Sequence, residues 1–281
     1  MKVKYENVSF NYSSTAALKN ISCEFDSGKT ILVAGHNGSG KSTFLKLMNG
    51  ILKPTEGRVI LGEIATDGKR TSELARLCAL SFQNPDDQLF AQSVKKELRF
   101  GIDNIGGGDG LYDSIVDTLH LGGQLQSNPY ALVYAMRRLV VIGATAAMGT
   151  PILALDEPTA GLSIREKEYL GNLISFLKAR GTTVVIVTHD LNFMLPYSDD
   201  MLLLSHGGVQ FSGGRDEFFT RSDARDLMKR SGIGYPMYAR ISSALDLEKA
   251  AFDADEIAEW ARKKRAGVTQ RTNGQHQLEG A

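Results

Sequence analysis

The sequence predicts an α/β protein built around a largely parallel sheet, and three observations carry that prediction. The run TILVAG is apolar without alternation and leads straight into GHNGSGKST, so a buried strand hands over to a glycine-rich loop and then a helix. PILAL and TTVVIV are two further continuous apolar runs, the pattern of parallel strands covered on both faces. Between those two runs, Leu170, Leu173, Ile174 and Leu177 keep one face of a helix apolar.

In chain order, residues 1 to 35 fall into short strand-like pieces, VKYENVSF, LKNISCEF and TILVAG, separated by SSTAA and DSGK. A helix is expected to begin near Lys41 and end near Gly50, followed by the strand GRVIL, a short helix in SELARL and a buried strand in CALSF. From about Ser93 to Met148 the period becomes helical, interrupted by NIGGGDG at 104–110. No Lys-Ser or Lys-Thr follows that glycine run, so it reads as a flexible connector and not a phosphate loop. Past about Arg215 the chain is helical again, in SDARDLMKR, ISSALDLEK and DEIAEWARKKR. The ARKKR cluster reads as a solvated helix end, where the dipole favours cations. Residues from Gly267 on are polar and expected to fray. The expected organisation is a main domain over 1–215 with a helical section at 93–148, a helical extension over 216–266, and a disordered tail over 267–281.

Composition narrows the function classes. A chain of 281 residues with 42% hydrophobic content can bury one large core, or one core with a small appended subdomain. Lys plus Arg and Asp plus Glu number 32 each, so no global field draws in nucleic acid or an anionic membrane, and no nucleic-acid partner is expected. Cys23 and Cys78 lie in apolar, strand-like contexts and read as buried reduced thiols. No signal pattern opens the sequence, and its longest apolar run, LVVIGATAAM, is about half of what a bilayer span requires, so the chain is not expected to cross a membrane.

The strongest chemical signal is GHNGSGKST, Gly35 to Thr43, which fits G-x-x-x-x-G-K-[ST] between a predicted strand and helix. Here Gly35, Asn37, Gly38, Ser39 and Gly40 let successive N–H groups turn inward around phosphate oxygens. The helix opening at Lys41, Ser42 and Thr43 adds its partial positive charge. Lys41 is expected to reach the β- and γ-phosphates, and the Ser42 hydroxyl to ligate Mg²⁺. The second signal is PILALDEP, a strand ending in Asp156 and Glu157. Asp156 is placed to hold Mg²⁺ through its water shell, and Glu157 to orient or deprotonate an attacking water.

With these motifs stand Gln83 in SFQNPDDQLF, the sequence DEPTAGL, and His189 in VIVTHD. In that order they make the chain resemble the nucleotide-binding subunit of an ATP-binding cassette (ABC) transporter over at least residues 1–215. The resemblance implies the ABC ATPase variant of the P-loop NTPase fold: a RecA-like core, an antiparallel β subdomain and a helical subdomain, here with a C-terminal helical extension. It assigns Gln83 to sensing Mg²⁺ and the γ-phosphate, His189 to contacting the γ-phosphate, and Tyr12 to stacking on the adenine of ATP. FQNPDDQLF, the later RFG and the extension with YPMYARISSAL are similar, more narrowly, to the ATPases of energy-coupling factor (ECF) transporters, which import vitamins and transition-metal ions. That likeness implies a peripheral place on the cytoplasmic face of the membrane. The implied partners are a paralogous ATPase, a transmembrane coupling protein and a substrate-binding membrane protein. Asp86 to Phe100 would line the groove for the coupling protein, with Leu89, Phe90 and Phe100 as apolar contacts that read equally well as core.

One departure is plain. NPYALVYAMRRLVVIGA, aligned with the signature region of this family, puts Leu132 and Arg137-Arg138 on their usual places but Val133, Tyr134, Ala135 and Met136 where Ser, Gly, Gly and Gln belong. Val133 has no hydroxyl, Tyr134 adds bulk where backbone must approach closely, and Met136 donates nothing. The Ser-Gly-Gly of FSGGRDE lies after His189, in the turn following the last strand, and cannot substitute. Ser163 stands where the family usually has an aspartate. The chain is therefore expected to pair with a paralogous ATPase whose signature is intact. The competing readings are a soluble ABC ATPase outside transport, which the neutral charge disfavours, and a regulatory nucleotide-binding subunit, which Glu157 and His189 disfavour.

Overall fold

The structure, a computed structural model, describes residues 1–105, 109–247 and 249–275, the last eleven of these through their backbone alone. The middle of the NIGGGDG connector and residues 276–281 lie outside the described residues.

The chain opens with β1 (Val3–Tyr12), β2 (Thr15–Phe25) and β3 (Thr30–Ala34), followed by α1 (Lys41–Met48), β4 (Glu56–Leu61), β5 (Ile64–Ala65), α2 (Thr71–Leu74) and β6 (Cys78–Ser81). The helical section contains α3 (Val94–Ile105), α4 (Tyr112–Thr118) and α5 (Tyr134–Ala147). There follow β7 (Ile152–Asp156), α6 (Ile164–Ala179), β8 (Thr183–Val187), α7 (Leu191–Met194), β9 (Asp200–Ser205) and β10 (Gly208–Gly214). The extension consists of α8 (Arg215–Thr220), α9 (Ala224–Arg230), α10 (Met237–Ala244) and α11 (Ala254–Gln275).

Two sheets result. One is antiparallel, in the order β2-β1-β4-β5, and the other runs β10-β9-β3-β8-β7-β6 and is parallel except for the β9–β10 hairpin. The larger sheet is covered on both faces, which is why its strands read as unbroken apolar runs. Along β3, Ile31 and Val33 point into a core shared with α1 and the antiparallel sheet, where they meet Phe44, Leu45 and Phe25. Leu32 and Ala34 point the other way, into a core built from α3 to α6. The period-2 alternation of a strand thus sends neighbouring residues into two different cores. Parallel register brings the C-terminal ends of β3, β7 and β8 to one edge, with Val33 beside Val187 and Asp156 beside Val187.

The extension is not a detached unit. Phe218, Phe219, Met228, Ala239 and Phe252 belong to the same buried cluster as Leu153 and Leu170. Two sequence expectations change in detail. FSGG lies within β10 and not in a turn after the last strand, because the β9–β10 hairpin pairs Ser212 with Leu202 and Gly213 with Met201. The backbone remains helical past Gly267, as far as Gln275. Both cysteines are free, Cys78 buried and Cys23 partly so, and burial pushes both thiols up to about 12.

Candidate active site

The edge formed by β3, β7 and β8 opens into a cleft of about 410 Å³. Tyr12, Asn37, Gly38, Gly40, Lys41, Ser42, Thr43, Gln83, Asp156, Glu157 and His189 all line it. Residues that lie up to 177 positions apart in the chain, Tyr12 and His189, therefore meet where three strand ends converge. Gly35 and Ser39 shape the loop from behind. A Cβ on Gly35 would run into the Ser39 side chain and the Leu204 carbonyl, so only glycine lets the loop leave β3 along this path. Gly40 adopts φ 101° as the N-cap of α1, a conformation that L side chains rarely take, and a Cβ there would press on Leu18 and the Ala17 carbonyl.

The loop hands its turn to α1, whose first residues Lys41, Ser42 and Thr43 point N–H groups and dipole charge into the cleft. The Lys41 ammonium is held by the carbonyl oxygens of Gly35 at 2.8 Å and His36 at 3.0 Å. Burial lowers its pKa, with Glu157 and Asp156 opposing that shift. At the cleft mouth the Tyr12 ring is half exposed, edge-on to Phe10 at 4.8 Å, and its hydroxyl accepts from Thr43 at 3.4 Å. An exposed aromatic face beside a phosphate loop suits a stacked base.

Across the cleft, burial raises the pKa of both Asp156 and Glu157. A hydrogen bond from Ser42 works against the rise at Asp156, and His189 works against it at Glu157. Asp156 Oδ1 is buried without a hydrogen-bond partner among the described residues. An orphaned carboxylate oxygen next to a hydroxyl is a donor set that a hard divalent cation fits. Glu157 sits at φ 50°, in the left-handed region, and its carboxylate takes the His189 main-chain N–H at 3.2 Å and lies 3.1 Å from His189 Nε2. The cleft thus joins a phosphate cradle, a cation-ready acid and a second acid paired with an imidazole, which is the equipment for splitting a phosphoanhydride with water.

Sequence reasoning missed Thr15, Ala16, Ala17 and Val187, which also line the cleft. The first three come from the β1–β2 hairpin, where Thr15 pairs with Tyr12, a contact that the spacing SSTAA after Tyr12 could have suggested. Of the two readings open for Leu89, the structure gives core, since Gln88, Glu97 and Tyr130 fold its segment inward: Gln88 Oε1 accepts from Phe82 N at 2.6 Å, Glu97 Oε2 from Ala91 N at 2.8 Å, and the Tyr130 hydroxyl donates to the Leu89 carbonyl. Phe90 and Phe100 are 54% and 49% exposed and pack edge-to-face at 4.2 Å, a small apolar patch on the surface.

The start of α5 is the other notable feature. Val133 is its N-cap, 69% exposed and without a side-chain bond to the helix N–H groups. The Tyr134 ring lies over Gly161, where a Cβ would come within 2.7 Å of it. Ser163 caps α6 instead of projecting: its hydroxyl accepts from Glu166 N at 3.5 Å while Glu166 Oε2 accepts from Ser163 N at 2.7 Å, a capping box.

Fold and site together define an ABC-type ATPase. The ABC transporter family profile matches residues 18–160, and the chain belongs to that family of ATP-binding subunits, which couple ATP hydrolysis to transport. A putative ABC transporter ATP-binding protein of Pyrococcus furiosus is 37% identical over 82% of this chain and 88% of its own length. The energy-coupling factor transporter ATP-binding protein EcfA2 of Enterococcus faecalis is 31% identical over 94% of this chain and 97% of its own. Among solved structures, cbiO1 of Clostridium perfringens, part of the ABC transporter complex cbiONQ, superposes with a TM-score of 0.70 at 29% identity, covering 87% of this chain and 98% of that one. No helix among the described residues is long and apolar enough to cross a membrane.

Proposed function

We propose that the chain is the ATP-binding and hydrolysing subunit of an ECF-type importer for a vitamin or a transition-metal ion, working as one half of an asymmetric ATPase pair. ATP binds with its base on Tyr12 and its phosphates in the loop Gly35–Thr43, neutralised by Lys41. Ser42, Asp156 and Gln83 would hold Mg²⁺, whose positive charge would offset that of the phosphate oxygens. Glu157 orients and deprotonates the attacking water, and His189 steadies the γ-phosphate while fixing the Glu157 carboxylate. The likeness to EcfA2 and cbiO1 supports the transporter class. The Phe90–Phe100 patch suits a transmembrane coupling protein that serves a separate substrate-binding membrane protein, and the chain would lie at the cytoplasmic face.

The observation that carries the asymmetry is the contrast between a complete cleft and the blunted start of α5. A signature serine and two glycines would offer a hydroxyl and bare N–H groups to the nucleotide held by a partner. Here that helix start offers the Val133 methyls and a phenol ring instead. Loss of one donor from such a site costs about 10²–10³ in rate. The chain therefore supplies a working cradle and a poor lid, and pairs with a paralogous ATPase whose signature is intact. Mixing the purified chain with that sister subunit is expected to raise ATP turnover well above either alone. Turnover that survives Glu157→Gln in the mixture would refute the assignment.

A further inference from the structure

Arg138 is the largest side chain in the structure with no exposed surface. It stands on α5, five residues after Val133, and it ends on four main-chain carbonyl oxygens. Nη1 donates to Phe82 at 3.3 Å and to Gln83, and Nη2 donates to Asp156 at 3.0 Å and to Glu157. These four carbonyls belong to two segments, the loop that follows β6 and the end of β7 with the residue after it. A guanidinium holds its donors in one rigid plane, so it fixes both loops at a set spacing, which a flexible ammonium does not do. Burial lowers the Arg138 pKa, but an arginine stays protonated in a protein, and the carboxylates of Asp156 and Glu157 favour the cation.

The arrangement does more than fill space. Glu157 occupies left-handed backbone, unfavourable for a residue with a Cβ, and it is pinned from two sides: its N–H donates to Val187 at 2.8 Å and its carbonyl accepts from Arg138. The preceding residue on the same helix, Arg137, reaches Asp86 at 3.0 Å, in the segment that follows Gln83. Helix α5 therefore grips the Gln83 loop twice and the Asp156–Glu157 loop once.

We infer that Arg138 is a positioning residue for ATP hydrolysis: it locks the Gln83 loop and the Asp156–Glu157 loop into one unit with α5, so that cation-binding and water-orienting groups register on the nucleotide together. The inference rests on the roles given above to Gln83, Asp156 and Glu157. It also gives a route by which movement of α5, on the helix that faces a partner ATPase, reaches both loops at once.

The test measures ATP affinity of the full-length chain with Mg²⁺ and with excess chelator, for the parent, Arg138→Lys and Asp156→Asn. Lysine keeps the charge and loses the fork. In Arg138→Lys, chelated ATP is expected to bind within about twofold of the parent, since Lys41 and the glycine loop are untouched, while the tightening given by Mg²⁺ falls about 10–100-fold, the usual penalty for disturbing a group that orients metal ligands. Retained Mg²⁺ tightening in Arg138→Lys, or an equal loss in both conditions, overturns the inference. If Asp156→Asn also leaves Mg²⁺ tightening intact, the reading of Asp156 fails on its own account. Amide exchange of the unmodified protein then decides for Arg138, and it does the same if Arg138→Lys does not fold. The amides of residues 82–84 and of 156 and 157 are expected to gain protection together when ATP and Mg²⁺ are added, and protection of one loop without the other overturns the coupling.

Discussion

Rebuilding the missing lid gives the sharpest prediction. The fourfold variant Val133→Ser, Tyr134→Gly, Ala135→Gly, Met136→Gln restores a hydroxyl and bare N–H groups at the start of α5. Its stability cost follows from the structure. The Tyr134 ring is somewhat more than half buried over Gly161, so its removal costs about 1–2 kcal/mol of the 1.5–3 kcal/mol that full burial of such a side chain is worth. Two glycines in the first turn cost up to about 1 kcal/mol each, and serine in place of an uncapped valine returns about 1 kcal/mol. The net cost is about 2 kcal/mol, which in a chain of this size lowers Tm by about 4–8 °C. On the proposed reading, the variant paired with itself would have two complete sites where the parent would have none, and ATP turnover is expected to rise at least about 10²-fold. The assay is phosphate release by the purified chain, with thermal melting beside it. A variant that melts within the expected range yet turns over ATP no faster than the parent refutes the claim that α5 limits the site.

Four further outcomes follow from the same geometry. Burial raises the Asp156 pKa, so the folded state binds a proton more readily than the unfolded one, and stability falls as pH climbs from the ordinary carboxylate value through the raised one. Asp156→Asn is therefore expected to raise Tm at pH 7 and to leave it nearly unchanged at the acid end of that window, as melts across pH will read. Glu157→Gln should cut turnover by about 10²–10⁴ in the paired enzyme while ATP binding persists, checked by single-turnover hydrolysis beside equilibrium binding. Gly161→Ala places a Cβ against the Tyr134 ring at a backbone with φ 76°, and a loss of about 2–4 kcal/mol in denaturant unfolding is expected. Phe90→Ser with Phe100→Ser removes the exposed ring pair; Tm should move by less than about 3 °C, while copurification with membrane proteins is lost.

The phosphate cradle was legible because its chemistry is local: loop glycines, Lys41 and Ser42 are neighbours in the chain, and backbone geometry alone demands their order. Asp156 and Glu157 were legible through the apolar run before them, since a buried parallel strand can only present its polar residues at its end. The parallel sheet itself could be read from runs that lacked alternation, a direct result of cover on both faces. What escaped depends on pairing between distant segments. Thr15 reaches the cleft only because β1 and β2 form a hairpin, and FSGG joins a strand only because β9 is there to pair with it. Leu89 looks the same in sequence as Phe90, yet Glu97 and Tyr130 turn one inward and leave the other out. Arg138 was visible as half of a basic pair, but its reach to four carbonyl oxygens on two loops has no signature in one dimension.

Phe219, in the extension, stacks edge-on against both Tyr235 and Phe252, and Arg215 lies 4.1 Å above the Phe252 ring at the junction with β10. Phe219 and Phe252 share a buried cluster with Leu153 of β7 and Leu170 of α6, and β7 carries Asp156 at its tip. Cutting the chain at the end of the sheet would therefore strip hydrophobic backing from the floor of the catalytic groove. A shortened protein would be a damaged enzyme rather than a minimal one, and the terminal helices are best regarded as a buttress built into the machine.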